Sequence, residues 1–212
     1  LLAALDREVG LKNCVIVLTA DHGVSPMPEV APGKPPGRIK GADLDAVGTR
    51  ALDAAYGPLP AGELWLTRDN LAYHLRPAAL AAKKISAHDA ALVLKAAFLA
   101  LPTIAEAYTR DELLAAPPEG NSVLAMARRS YHDGRGRDLL LITKPYHFLA
   151  RNSGSTHGLP YEYDTHVPIV WFGAGVPQAV RTESIGVEDI APTLSALLGI
   201  PAPPLAHGRR LF

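Results

Sequence analysis

The sequence predicts an α/β fold that carries an inserted α+β subdomain, and three observations predict it. Apolar runs at residues 14–18 (CVIVL), 138–143 (DLLLIT) and 167–172 (VPIVWF) have the signature of strands covered on both faces. Helical patterns stand at both ends of the chain. Between them, residues 42–137 alternate helix and strand patterns and hold no cluster of ligand-type side chains, as an insertion would. On this pattern the core domain comprises residues 1–30 and 138–212, and residues 31–137 form an inserted cap.

Each element has its own local reason. Leu1, Leu2, Leu5, Val9 and Leu11 recur at helical spacing with Asp6, Arg7 and Glu8 on the opposite side, and Gly10 suits the helix end. The chain opens inside that amphipathic pattern and on Leu1 rather than methionine, so it is expected to be a fragment of a longer protein. The apolar run 14–18 then breaks at TADHGV, which puts Asp21 and His22 just beyond the carboxyl end of a strand, the edge at which open α/β sheets bind ligands. Five prolines and three glycines in residues 25–41 make an irregular connection.

Within the insertion, a helix is expected at 43–56, strands at 63–67 and 71–75, and a long helix at 77–101 that Pro102 stops. A strand follows at 104–108. Thr109 and Glu112 have the spacing of a capping box, so a short helix is expected to start there. Residues 138–143 are read as the return of the main sheet. The loop 144–166 that follows is too long for a plain connection in a compact domain, which marks it as functional or disordered. A helix beginning near Asp189, with Pro192 in its first turn and Gly199 after its end, closes the fold.

Composition excludes several function classes. Apolar residues make up 48% and charged residues 20% of 212, which suits a chain that buries a core rather than a disordered one. Twenty-one basic residues balance twenty-one acidic ones, so no overall field gathers nucleic acid, and the basic patch at Arg128, Arg129, Arg135 and Arg137 is interleaved with Asp133 and Asp138. No nucleic-acid polymer is expected as a partner. No apolar run approaches the roughly 18 residues that span a bilayer, and the single Cys14 has no internal disulfide partner.

The residues with chemistry are few. Asp21 and His22 offer a hard carboxylate and an imidazole at one strand end, both good zinc or manganese ligands, and Gly23 lets the backbone turn so that they converge. The bland alternative is a strand-end aspartate that caps backbone amides. His157 lies in NSGSTHG (152–158), among glycines and hydroxyls that build no core. Asp164 and His166 stand where the chain enters the third apolar run, either as groups supporting a site or as bonds to loop amides and packing at the sheet edge. His74, His88, His132 and His207 read as surface residues, and Lys144, His147 and Arg151 are left unassigned.

TADHG after an apolar strand, GSTHG before YDTHVPIVWFG, and VEDIAPTLSALLGIP, in that order, closely resemble the carboxyl half of the alkaline phosphatase superfamily. The likeness is to the branch of type I phosphodiesterase/nucleotide pyrophosphatases and single-insert bacterial alkaline phosphatases with a threonine nucleophile. It covers residues 1–24 and 138–200 directly. The resemblance implies a three-layer α/β/α sandwich with two zinc ions above the carboxyl edge of a largely parallel sheet, displacing a phosphoryl group in line. It assigns Asp21 and His22 to the nucleophile-side metal and His157 to the other. In the family a first-strand aspartate, the nucleophile, and an aspartate and histidine three residues apart all precede the helix that opens this chain, and nothing here supplies them.

The chain is therefore expected to hold no catalytic nucleophile and to be inactive alone. Its partners would be a phosphate ester and the missing amino-terminal half of the same protein, and relatives imply a periplasmic or extracellular location. The alternatives are a pseudoenzyme or binding domain that keeps metal-site residues, or a sulfatase or mutase relative on the same fold.

Overall fold

Helix α1 (Leu2–Glu8) ends where Gly10 turns the chain at φ +79°, and the Asp6 carboxylate takes the Leu11 amide at 3.0 Å. A 3-10 turn leads into β1 (Val15–Leu18). The structure, a computed structural model, describes residues 1–31, 37–115, 120–149 and 154–212. It divides into two units, Leu1–Gly23 with Thr165–Phe212, and Val24–Asp164.

In the second unit β2 (Arg38–Ile39) precedes α2 (Gly41–Tyr56), and β3 (Leu66–Asp69) and β4 (Ala72–Leu75) form an antiparallel hairpin. The hairpin begins three residues later than its apolar pattern suggested. Asn70, in the left-handed region at φ +54°, makes the turn. Next come α3 (Pro77–Lys83) and α4 (Ala87–Leu99), where one helix over 77–101 was expected. Lys84 at φ +55° ends the first, and Ser86 starts the second by accepting the Asp89 amide at 3.0 Å. The alanine-rich composition hides that break, although Ser86 and Asp89 stand at N-cap spacing.

β5 (Ile104–Thr109) leads straight into α5 (Arg110–Leu114), and the expected capping box is present: Glu112 takes the Thr109 amide at 2.8 Å, and Thr109 takes the Glu112 amide at 3.4 Å. α6 (Val123–Ser130) precedes β6 (Leu139–Thr143). The reading that β6 resumes the main sheet is corrected here: β6 lies inside a four-stranded antiparallel sheet of order β3-β4-β6-β5. Its buried, apolar character is that of an interior strand, and such a pattern does not say which sheet the strand is interior to.

The apolar core belongs to this unit, since every buried apolar side chain among the described residues falls between Ile39 and Leu159. α2 buries Leu44, Gly48 and Leu52 at intervals of four, and α4 buries Ala90, Ala91, Leu94 and Phe98. Both rows join Tyr73, Leu139 and Leu141 of the sheet in one cluster. The rings of Tyr73 and Phe98 stack 5.0 Å apart, and the Tyr73 hydroxyl reaches Asp45 at 3.1 Å. β7 (Phe148–Leu149) pairs parallel with β2, and α7 (Glu162–Thr165) ends at the unit's edge.

The first unit resumes with β8 (Val170–Gly173), antiparallel to β1, and α8 (Ile190–Leu198), which ends at Gly199 (φ +65°) as expected. At Gly173, φ is +115° and a β-carbon would lie 1.9 Å from the Cys14 carbonyl oxygen, so only glycine closes this strand pair. The expectation of a strand covered on both faces is corrected for β1 and β8. Leu18, Val170 and Phe172 are each more than half exposed, because among the described residues each strand has one neighbouring strand only. The polar interior of this unit is better satisfied: buried Asp189 accepts the Gly186 and Arg209 amides at 3.1 and 2.7 Å, and buried Thr193 accepts the Leu211 amide at 3.1 Å. Phe212 meets Trp171 edge-on at 5.3 Å. Among the described residues no helix is long and apolar enough to cross a membrane.

Because Phe98 is fully buried against Tyr73, Phe98→Ala removes a ring that nothing replaces. It should lower stability by about 3–5 kcal/mol, read as a shift in the urea unfolding midpoint at unchanged slope.

Candidate functional site

β1 delivers the chain to Thr19, after which Asp21 and His22 follow without regular structure. The aspartate side chain is 88% exposed and the imidazole 38%. Asp21 Oδ1 accepts the His22 amide at 3.1 Å, so the capping reading of Asp21 holds for one of its oxygens. The other faces the ring: Asp21 Oδ2 stands 3.6 Å from His22 Nε2. His22 Nδ1 lies 2.6 Å from the Gly23 carbonyl oxygen, which only accepts, so Nδ1 donates there and the tautomer with its lone pair on Nε2 is the one this contact favours. Two ligands on one tetrahedral zinc with bonds of about 2.0–2.1 Å stand roughly 3.3–3.4 Å apart. The Asp21–His22 pair therefore fits one such ion in donor chemistry, tautomer and spacing.

His157 belongs to the other unit, in a loop that several groups fix. Ser25, 2% exposed, donates its amide to the Thr156 carbonyl at 3.1 Å and accepts the Ser155 hydroxyl on its own carbonyl. Arg38 holds Glu29 through two nitrogens, at 2.7 and 3.0 Å, and donates to the Gly154 carbonyl at 2.9 Å. That ion pair holds the Glu29 carboxyl below its usual range. His157 itself is exposed, and Arg151, Asn152 and Ser153 lie outside the described residues.

Beyond His157 the loop is anchored by Asp164, whose Oδ2 accepts the Leu159 amide at 2.8 Å. Tyr161 donates to the Thr143 carbonyl at 2.6 Å, and the Tyr163 hydroxyl accepts the Tyr146 amide at 3.2 Å. The three tyrosine rings pack together, Tyr163 lying 5.1 Å from Tyr146 and 5.6 Å from Tyr161. Tyr146 takes φ +62°, unusual for an aromatic residue, and the stacking accompanies it.

The structure thus brings Asp21 and His22 together and sets His157 on a braced loop. Among the described residues no group of three or more His, Cys, Asp or Glu side chains forms a metal-holding cluster. Asp164 bonds to a loop amide, and His166 is exposed. His88, read as a surface residue, is paired with Asp111 at 2.5 Å. Sequence reasoning missed Ser25 and Arg38. Ser25 carried a faint signal in its position three residues after His22; Arg38, inside the proline-rich connection, carried none.

No family model matches the chain. Over 89% of its length it is 27% identical to alkaline phosphatase PhoK of a Sphingomonas species, and over 97% it is 26% identical to alkaline phosphatase PafA of Elizabethkingia meningoseptica. It spans only 36% and 37% of those proteins. The crystal structure of wild-type PafA superimposes with a TM-score of 0.83 at 25% identity, covering 99% of this chain and 40% of that one. The α/β fold is therefore alkaline-phosphatase-like.

Burial first, then the charges of Tyr163 and Glu106, push the Tyr161 hydroxyl up to about 12. A group whose folded pKa is raised adds stability that is complete below its unfolded value, near 10, and lost as pH rises through the folded one. The urea midpoint should hold steady to about pH 10 and fall between about 10 and 12, and Tyr161→Phe should remove part of that fall.

Proposed function

Because this chain is an alkaline phosphatase homologue in sequence and in fold, we propose that it is the carboxyl-terminal part of a zinc-dependent hydrolase of phosphate mono- or diesters. Asp21, His22 and His157 are its share of a two-metal site. The observation that carries this reading is the likeness in sequence and fold to alkaline phosphatases, wild-type PafA superimposing with a TM-score of 0.83, and the Asp21–His22 geometry agrees with it.

The chain's own groups act as follows. Asp21 Oδ2 and the Nε2 lone pair of His22 hold one ion, and the bond from Nδ1 to the Gly23 carbonyl keeps that lone pair in place. The His157 imidazole serves the other ion from the braced loop. Zinc, if held by these groups, would supply positive charge against the phosphoryl oxygens and would make an attacking oxygen a better nucleophile at neutral pH. The nucleophile and the remaining ligands belong to the part of the protein that matches the rest of the longer relatives. The substrate is an anionic ester recognised locally, since the chain's net charge is zero. Export to the periplasm or the cell exterior is part of the same reading.

In the full-length protein, His157→Ala should cut turnover of an aryl phosphate by at least about 10²-fold, beyond the 10–100-fold typical of changes to outer-shell partners. Chelation should abolish activity, and zinc should restore it. Residues 1–212 alone should retain zinc weakly and turn over negligibly. A His157→Ala protein with full phosphatase activity would remove the assignment.

A further inference from the structure

The loop after His157 is closed by one carboxylate. Asp164 is 4% exposed, its Oδ2 takes the Leu159 amide at 2.8 Å, and its own amide donates to the Tyr161 carbonyl at 2.8 Å. Leu159 is itself 6% exposed, so side chain and amide pin the same residue. Only Gly158, at φ +104°, separates that anchor from His157. A side chain two residues away along the chain thus inherits its position from the Asp164 bond.

The other Asp164 oxygen adds an independent observation. Oδ1 is buried and, among the described residues, has no hydrogen-bond partner. Leaving a buried acceptor unpaired is unfavourable, and such a group persists in a fold when more than stability retains it. A leucine or alanine at 164 would spare the fold that unpaired oxygen and would lose only the Leu159 bond. The bond to the Leu159 amide through Oδ2 is what a polar side chain supplies at this buried position, and it lies two residues from His157.

We infer that Asp164 is a positioning residue for His157, holding the imidazole where the metal site needs it by fixing the Leu159 amide. The inference rests on the proposed metal role of His157. Asp164 acts through the backbone of residues 157–159.

The test uses the full-length protein and two readouts, hydrogen exchange at the Leu159 amide and zinc affinity measured by competition with a chromophoric chelator. Asp164→Ala should lose protection at Leu159 and weaken zinc by roughly 10–100-fold, as outer-shell partners do. Asp164→Asn keeps an oxygen that can accept the same amide, so it should recover the protection and most of the affinity; it also serves if the alanine variant does not fold. His157→Ala should weaken zinc while leaving Leu159 protected. Unchanged zinc affinity in His157→Ala sinks the metal role of His157 and, with it, this inference. Normal zinc affinity in Asp164→Ala, alongside weakened zinc in His157→Ala, sinks the positioning role alone. An asparagine variant as weak as the alanine one also overturns it, because charge rather than the amide bond would then be at work.

Discussion

Ser25 is the contact on which the His157 loop depends. Both of its backbone groups are engaged by the segment that ends at His157, and with 2% exposure it has no access to water that would compete for those bonds. Its amide bonds to the Thr156 carbonyl whatever its own side chain is, while its carbonyl relies on the Ser155 hydroxyl, so the serine that holds the loop leaves little mark at its own position. A residue with an ordinary side chain therefore holds the lone-histidine loop, while His157 itself remains exposed. Arg38 strengthens the same junction from a third stretch by crossing to the Gly154 carbonyl.

What the sequence made legible follows from the range of each signal. The capping box at Thr109 and Glu112, the helix ending at Gly199 and the helix over residues 43–56 depend on neighbours within one or two turns, and each stands close to where its pattern put it. The break at Lys84–Ser86 is equally local, but the alanines and leucines on both sides favour helix so uniformly that one residue in the left-handed region decides the outcome. The placement of β6 failed for a different reason. DLLLIT says that a strand is buried, and partner choice is settled by β4 and β5, which lie up to some seventy residues away. For the site, Asp21 and His22 could be read because adjacent residues at a strand end share one geometry. Their spacing to any other group is a tertiary fact.

The two units solve the problem of burial in different ways. Residues Val24–Asp164 pack helices α2 and α4 on an antiparallel sheet and bury Trp65, Tyr73, Phe98 and a set of leucines. In the unit that holds Asp21 and His22, the buried side chains are Asp189, Thr193 and Ser195, each hydrogen-bonded, while the apolar residues of β1 and β8 are half exposed or more at Leu18, Val170 and Phe172. Trp171 shares this character, with an indole nitrogen that is buried and has no partner among the described residues. Strands this apolar are suited to a layer with further strands and helices on either side. The chain matches just over a third of each of two longer relatives, which is the length from which such neighbours would be drawn.

That contrast bears on chemistry as well as on packing. Asp21 and His22 need no deep pocket to be arranged for a cation, because the arrangement is made by bonds one residue long: the His22 amide to Oδ1, and Nδ1 to the Gly23 carbonyl. Such short-range bonds set the direction of the Nε2 lone pair and of Oδ2 before any partner arrives, which lowers the ordering cost of assembling a site from separate pieces. Beside His157, Gly158 at φ +104° leaves the backbone permissive. His157 takes its order from farther away, through Ser25 on one side and Asp164 on the other. The Asp21–His22 pair and the His157 loop are thus ordered by different means, one by local backbone bonding and the other by a buried carboxylate and a buried serine.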